Sequence, residues 1–426
     1  MNNDKKIVAK LHAADFAMTD SNFYSLSILK DKNIYYTLCS HNIDTHGRVY
    51  KYDPETDEVR IFADLGKVTG EAGKKTLPQG KSHTPIFEAD GKIYIATHYG
   101  YYQGNEGKEE PAPPPQGYFP YPGGKIIEYD MASGKFSILA SAPPEEGIIT
   151  MNMDTERKLI YCLTWPKGIF MYYDITQRKL EILGQVSRGG EVGLGDNYFC
   201  LCRGIAIDPR DGTAYFTNSD GEILMFRTQR GKVESVEWAH MKKDVFGEWD
   251  PHKGGHQGYN WRQILWHPEY GKFFGVHGKS GYLFSFDPKD KKLEIINRIC
   301  NERCIKKGTF ESFRYGYMTL GLDPEDRDTF YYISGFDENM SVPDQKDGKE
   351  SMPYLSLTTY NLASQKYTDH GIIQLEDGRY PTLTQSIAVH PNGRIYTCPW
   401  IPRTQNSAYD EHKQQCDLIS FRNPLK

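Results

Sequence analysis

Residues 263–296, "QILWHPEYGKFFGVHGKSGYLFSFDPKDKKLEII", decide the fold. Four short apolar runs are each ended by Gly, Pro or Asp, the pattern of a strand meander. The second run stops at His277, and the third closes with an aromatic residue plus Asp287. The same plan recurs at 204–236, "GIAIDPRDGTAYFTNSDGEILMFRTQRGKVESV", and at 386–400, "SIAVHPNGRIYTCPW", which 416–423, "CDLISFRN", continues. Extended along the chain, the pattern gives seven copies, beginning near Phe23, His83, Thr150, Arg203, Arg262, Tyr317 and Gln385. Each covers roughly 35–65 residues, at or somewhat above the length of a propeller blade. The expected fold is therefore all-β, a single seven-bladed β-propeller domain over residues 1–426, in which radial repetition protects the sheet edges. The last copy stops at its third strand, while "KKIVAKLHA" at 5–13 has no other place. Residues 6–13 are expected to complete the last blade and close the ring.

Composition agrees. A chain of 426 residues suits two or three ordinary domains or one large all-β domain, and 13% aromatics with 40 Gly favours strands and tight turns. The net charge of -5 argues against a nucleic-acid partner, which selects for basic patches. No apolar run reaches membrane-span length, and the N-terminal "MNNDKKIVAK" lacks a signal-peptide core. No membrane partner is expected, and a cytoplasmic location is. The eight cysteines form no CxxC pair and read as buried, reduced thiols.

In a propeller, the residues entering each inner strand and those leaving each second strand meet around one mouth. Here the entries supply Tyr24, His83, Asn152, Arg203, Trp261, Arg262, Arg314, Tyr315, Tyr317 and Gln385. The exits supply His41, His98, Trp165, Asn218, His277 and Trp400. The other face carries ordinary turns such as DG, PRDG and PNG. Long loops at 99–124, 336–353 and 402–415 follow second strands and are expected to wall the mouth. The segment 81–102, "KSHTPIFEADGKIYIATHYGYY", brings His83 and His98 to one end of a hairpin, with Tyr99 and Tyr101 beside them. Such a funnel suits an anionic, ring-shaped ligand. Arginine forks match carboxylates, aromatic faces match sugar rings, and His and Tyr move protons. Each residue also has a plain structural alternative. Arg203 and Arg262 can brace blades through buried carboxylates, the tryptophans can pack, and Tyr99 and Tyr101 can anchor their loop. The Gly-rich "GEVGLGDN" at 190–197 lacks a strand-to-helix setting, so it is not a phosphate loop. Mouth carboxylates are sparse, which disfavours a two-carboxylate glycosidase.

The His pair on the second blade, the following arginines and the nearby tyrosines resemble the propeller polysaccharide lyases. These are the ulvan lyases, the rhamnose–glucuronate lyases with their related rhamnosidases and, more loosely, the oligogalacturonate lyases. The resemblance implies β-elimination on an acidic, uronic-acid-containing oligosaccharide. It implies a catalytic set drawn from His83, His98, Tyr99, Tyr315 and Tyr317. It makes Arg203 the expected carboxylate clamp, and the mouth positions add Arg262, Arg314, Trp165, Trp261, Tyr101, Asn152 and Gln385 as expected substrate contacts. A divalent ion (Ca, Mn or Zn) near His277 and His41 is the expected cofactor. The alternatives are a rhamnosidase-like glycoside hydrolase, a metal-dependent lactonase and a non-catalytic binding propeller.

Overall fold

In the computed structural model the described residues are 5–105, 108–192, 195–252, 258–278, 280–307, 313–314, 319–337, 353–403 and 414–426. Five separate four-stranded antiparallel sheets follow one another along the chain. Their inner strands are Leu26–Ile28, Phe87–Ala89, Gly147–Asp154, Ala206–Ile207 and Trp261–His267. The burial pattern explains the sequence rhythm. The second strand of the third sheet, Leu159–Trp165, is buried at every position because neighbouring sheets cover both of its faces. The outer strand Lys179–Gln185 is mostly half-buried or exposed. Apolar side chains fill the wedges between sheets. One such cluster joins Tyr36 and Tyr50 of the first sheet to Tyr396 and Leu418 near the C-terminus, so the ring closes on itself. The architecture is an all-β propeller.

The expectation of seven separate blades needs correction. Beside the five sheets stands one continuous nine-stranded sheet. The N-terminal strand Lys6–His12 is the cause, because it is long enough to serve two neighbours. Residues Lys6 to Ala9 run parallel to Ile372–Leu375, and Ala9 to His12 run antiparallel to Phe421–Leu418. Gly371 permits the seam: its φ is +101°, and an added Cβ would lie 1.9 Å from the Lys5 carbonyl oxygen. Ile372 N–H donates to that carbonyl at 2.9 Å.

On the face of ordinary turns, side chains pin each sheet to the next. His267 Nε2 donates to the Arg327 carbonyl at 2.6 Å, and His390 Nε2 donates to the Lys32 carbonyl at 2.8 Å. Arg157 and Arg210 reach the carbonyls of Pro209 and Gly271. Inside the ring, Asn152 Nδ2 donates to the Ile205 carbonyl at 2.7 Å, and Gln263 brackets Leu320. No helix among the described residues is long and apolar enough to cross a membrane. Most of the 336–353 and 402–415 loops, with Tyr315 and Tyr317, lies outside the described residues, as does the Arg314 side chain.

Candidate active site

The two histidines of the second sheet meet. Backbone pairing of Lys81 with His98 sets them: His98 N–H donates to the Lys81 carbonyl at 2.8 Å, and Lys81 N–H donates back at 3.2 Å. In extended chain, residues two apart share a face, so Lys81 and His83 project together. The His83 and His98 rings lie 4.4 Å apart, tilted by 58°. Phe23 stacks on His83 at 4.3 Å, and Trp165 presents its edge to His98 at 5.5 Å. Gly147 makes room, because a Cβ there would fall 2.4 Å from His98 Nδ1.

A third imidazole, His41, completes one wall. His41 Nδ1 pairs with Asp20 at 2.8 Å, and His41 Nε2 hydrogen-bonds the Tyr102 hydroxyl. That hydroxyl donates to Glu109 Oε1 at 2.9 Å. With Glu109 accepting the phenol proton, His41 is the donor to Tyr102, and Asp20–His41–Tyr102–Glu109 forms a continuous polar chain. Tyr102 comes from the hairpin Tyr102–Asn105/Lys108–Pro111, which folds over the mouth. The Lys81 ammonium lies under it, 3.8 Å from the Tyr102 ring centre and 4.5 Å from that of Phe23.

Lys81 Nζ and both His83 ring nitrogens are among the buried polar atoms here that have no hydrogen-bond partner among the described residues. Burial pulls the Lys81 ammonium down to about 8, against the pull of Glu109, Cys39 and Asp20. Burial, then the neighbouring His98, Lys81 and Arg203 charges, holds His83 well below the ordinary imidazole range. Burial with Lys81 and Arg203 does the same to His98. Asp20 is held below the usual carboxylate range: burial opposes this, and His41 outweighs it.

Several expected ligand contacts are instead structural. Arg203 meets Glu191 in a two-pronged ion pair at 2.8 and 3.0 Å. Burial works against the Glu191 charge, but Arg203 and Arg262 hold its carboxyl below the ordinary value. Trp165 Nε1 donates to the same carboxylate at 2.9 Å, so its indole is a brace rather than a sugar platform. Arg262 is buried against Cys200 Sγ (2.9 Å) and the Leu201 carbonyl, and Trp261 Nε1 donates to the Gly204 carbonyl at 2.7 Å. Asn152 is spent on its inter-sheet bond. Tyr99 anchors the long loop through the Ala112 carbonyl at 3.3 Å, Tyr101 packs on the core, and Gln385 is buried. Glu191 belongs to the Gly-rich 190–197 stretch, which is therefore the loop that fixes Arg203.

The residues do not fit the expected metal. Both His41 nitrogens are engaged, while His277 stacks on Phe246 at 4.0 Å and bonds Ser280 Oγ through Nδ1 at 2.8 Å. Among the described residues no three His, Cys, Asp or Glu side chains assemble as a cation site. Sequence reasoning missed Lys81 and Tyr102. Lys81 was readable from its two-residue offset to His83; Tyr102 was one of a run of tyrosines that spacing alone does not separate.

No family model matches this chain, and no curated protein matches it. Solved structures do. A chain of the mitotic checkpoint complex aligns over 99% of this protein and 94% of itself, at 11% identity and a TM-score of 0.52. The Myceliophteria thermophila Cps50 (Swd1) β-propeller domain aligns over 95% and 97%, at 9% identity and a TM-score of 0.49. At such identities the likeness concerns the fold alone.

Proposed function

We propose that this mouth is the active site of a lyase that cleaves a uronic-acid-containing oligosaccharide by β-elimination. The observation that carries the reading is the contact between His83 and His98, with both His83 nitrogens buried and unpartnered. An imidazole kept neutral by burial is ready to accept a proton at neutral pH. His83 takes the C5 proton, the C4–C5 double bond forms, and the C4–O bond breaks. Tyr102 protonates the departing oxygen and is reprotonated by His41 Nε2, which the Asp20 carboxylate orients, while His83 releases the C5 proton to solvent. Lys81 favours the substrate carboxylate and the charge that develops on it in the enolate. Arg203 and Arg262, committed to Glu191 and Cys200, shape this field from behind. In this reading the nine-stranded sheet counts as two blades sewn along the Lys6–His12 strand, giving a seven-bladed ring. The enzyme works in the cytosol, where its eight buried free cysteines stay reduced.

The test is a screen of uronic oligosaccharides for the ultraviolet band of an unsaturated uronate. Elimination predicts that the band grows with turnover. Cleavage without the band defeats this reading in favour of the rhamnosidase-like hydrolase. A lactonase would open a lactone and leave glycosidic bonds intact, and a binding propeller would turn nothing over.

A further inference from the structure

We infer that Lys81 is the specificity-determining anion receptor of this mouth, a buried amine that pairs with one carboxylate of the ligand. The inference rests on the proposed uronate site and goes further, because it names the group that distinguishes an acidic from a neutral sugar. Three observations support it. The amine is fully buried and has no hydrogen-bond partner among the described residues. Its nearest surroundings are the faces of Tyr102 and Phe23, which attract a cation but supply no counter-charge. The acids around it are already engaged: Asp20 by His41, Glu109 by Tyr102, and Glu191 by Arg203.

A buried charge without a partner is costly, so such an amine either sheds its proton or waits for an anion. Of the groups that face it, Arg203 opposes a positive charge on the amine, Asp20, Glu109 and Cys39 favour one, and the His83 and His98 rings beside it are held neutral by burial. An arriving carboxylate adds to the groups that favour the charge. Ligand binding therefore draws a proton onto Lys81 in solutions more alkaline than the amine's resting value, by thermodynamic linkage. A neutral sugar of the same shape brings no such gain.

The experiment is calorimetric titration of the full chain with sodium glucuronate, sodium galacturonate and glucose. It is run at about pH 8.5 and about pH 6.5 in two buffers of different ionisation enthalpy, which counts protons taken up. At least one uronate is expected to bind at least about tenfold more tightly than glucose, the scale of one buried charge-assisted contact. Proton uptake is expected at the higher pH and not at the lower. Lys81→Met is expected to lose both the preference and the uptake. If this variant fails to fold, the wild-type proton count alone decides. Equal affinity for glucose and the uronates, no uronate binding, binding without proton uptake at the higher pH, or a Lys81→Met protein that keeps the preference each overturns the proposal. Acid preference and proton uptake without an unsaturated product from any oligosaccharide would sink the elimination reading and leave the receptor standing.

Discussion

Two buried histidine clusters in this molecule look alike on paper and behave in opposite ways. At the ring seam, His12 Nδ1 pairs with Asp57 at 2.9 Å and His12 Nε2 with Ser420 Oγ at 2.8 Å. This is the order of a serine hydrolase triad. Yet Ser420 is fully buried and its hydroxyl is also held by Arg394 at 2.9 and 3.1 Å. Every polar atom of that group has a partner, and the three residues come from the N-terminal strand, the first sheet and the last strand. It is a clasp. At the mouth, among the described residues, His83 has partners for neither nitrogen and Lys81 has none for its amine. The difference teaches that residue type and burial do not fix what a histidine contributes: a paired buried group adds stability, and an unpaired one costs it.

Single substitutions should pull these two apart. His83→Ala is expected to lower turnover of an oligouronate by about 10²–10⁴-fold, the reach of a general base, without lowering the melting temperature. A variant that keeps full turnover would remove His83 from the chemistry. His12→Ala should do the reverse. It removes two hydrogen bonds of the clasp, leaving Ser420 to Arg394 and Asp57 to Tyr52, and loosens the closing strand, at a cost of about 1–3 kcal/mol in chemical denaturation, with turnover intact. An unchanged unfolding midpoint would mean that the clasp does not hold the ring.

A gentler probe is pH. Burial lowers His12 from 6.5 to about 4, against the pull of Asp57. The unfolded chain therefore takes up the proton first, and stability that is complete above about 6.5 declines as pH falls toward about 4. His83 and His98 shift in the same direction and add to the decline. In His12→Ala the slope across this window should be visibly shallower than in wild type; equal slopes would assign the titration to the mouth alone. The smallest effect expected is that of Trp165→Phe, which removes one hydrogen bond to Glu191 and should cost about 1–3 kcal/mol of stability. If the loss is larger, the Arg203–Glu191 pair depends on the indole more than its own two-pronged geometry suggests.

The sequence by itself determined the repeat and the meeting of His83 with His98, because both follow from strand period and turn chemistry, which are local. It also placed residues 6–13 beside the last strand, since an incomplete repeat at one end needs its complement from the other. Tertiary structure alone decided which cation at the mouth is paired and which is not. Arg203 and Lys81 have the same charge at neighbouring registers, but a carboxylate in the 190–197 loop claims the arginine and nothing described claims the lysine. It likewise chose Tyr102 over Tyr99 and Tyr101, since the fold of one long loop sends the first to His41 and the others into packing. The merging of two expected sheets through one strand had the same origin. Pairing partners are fixed by distances between segments far apart in the chain, and no period in the sequence encodes those distances.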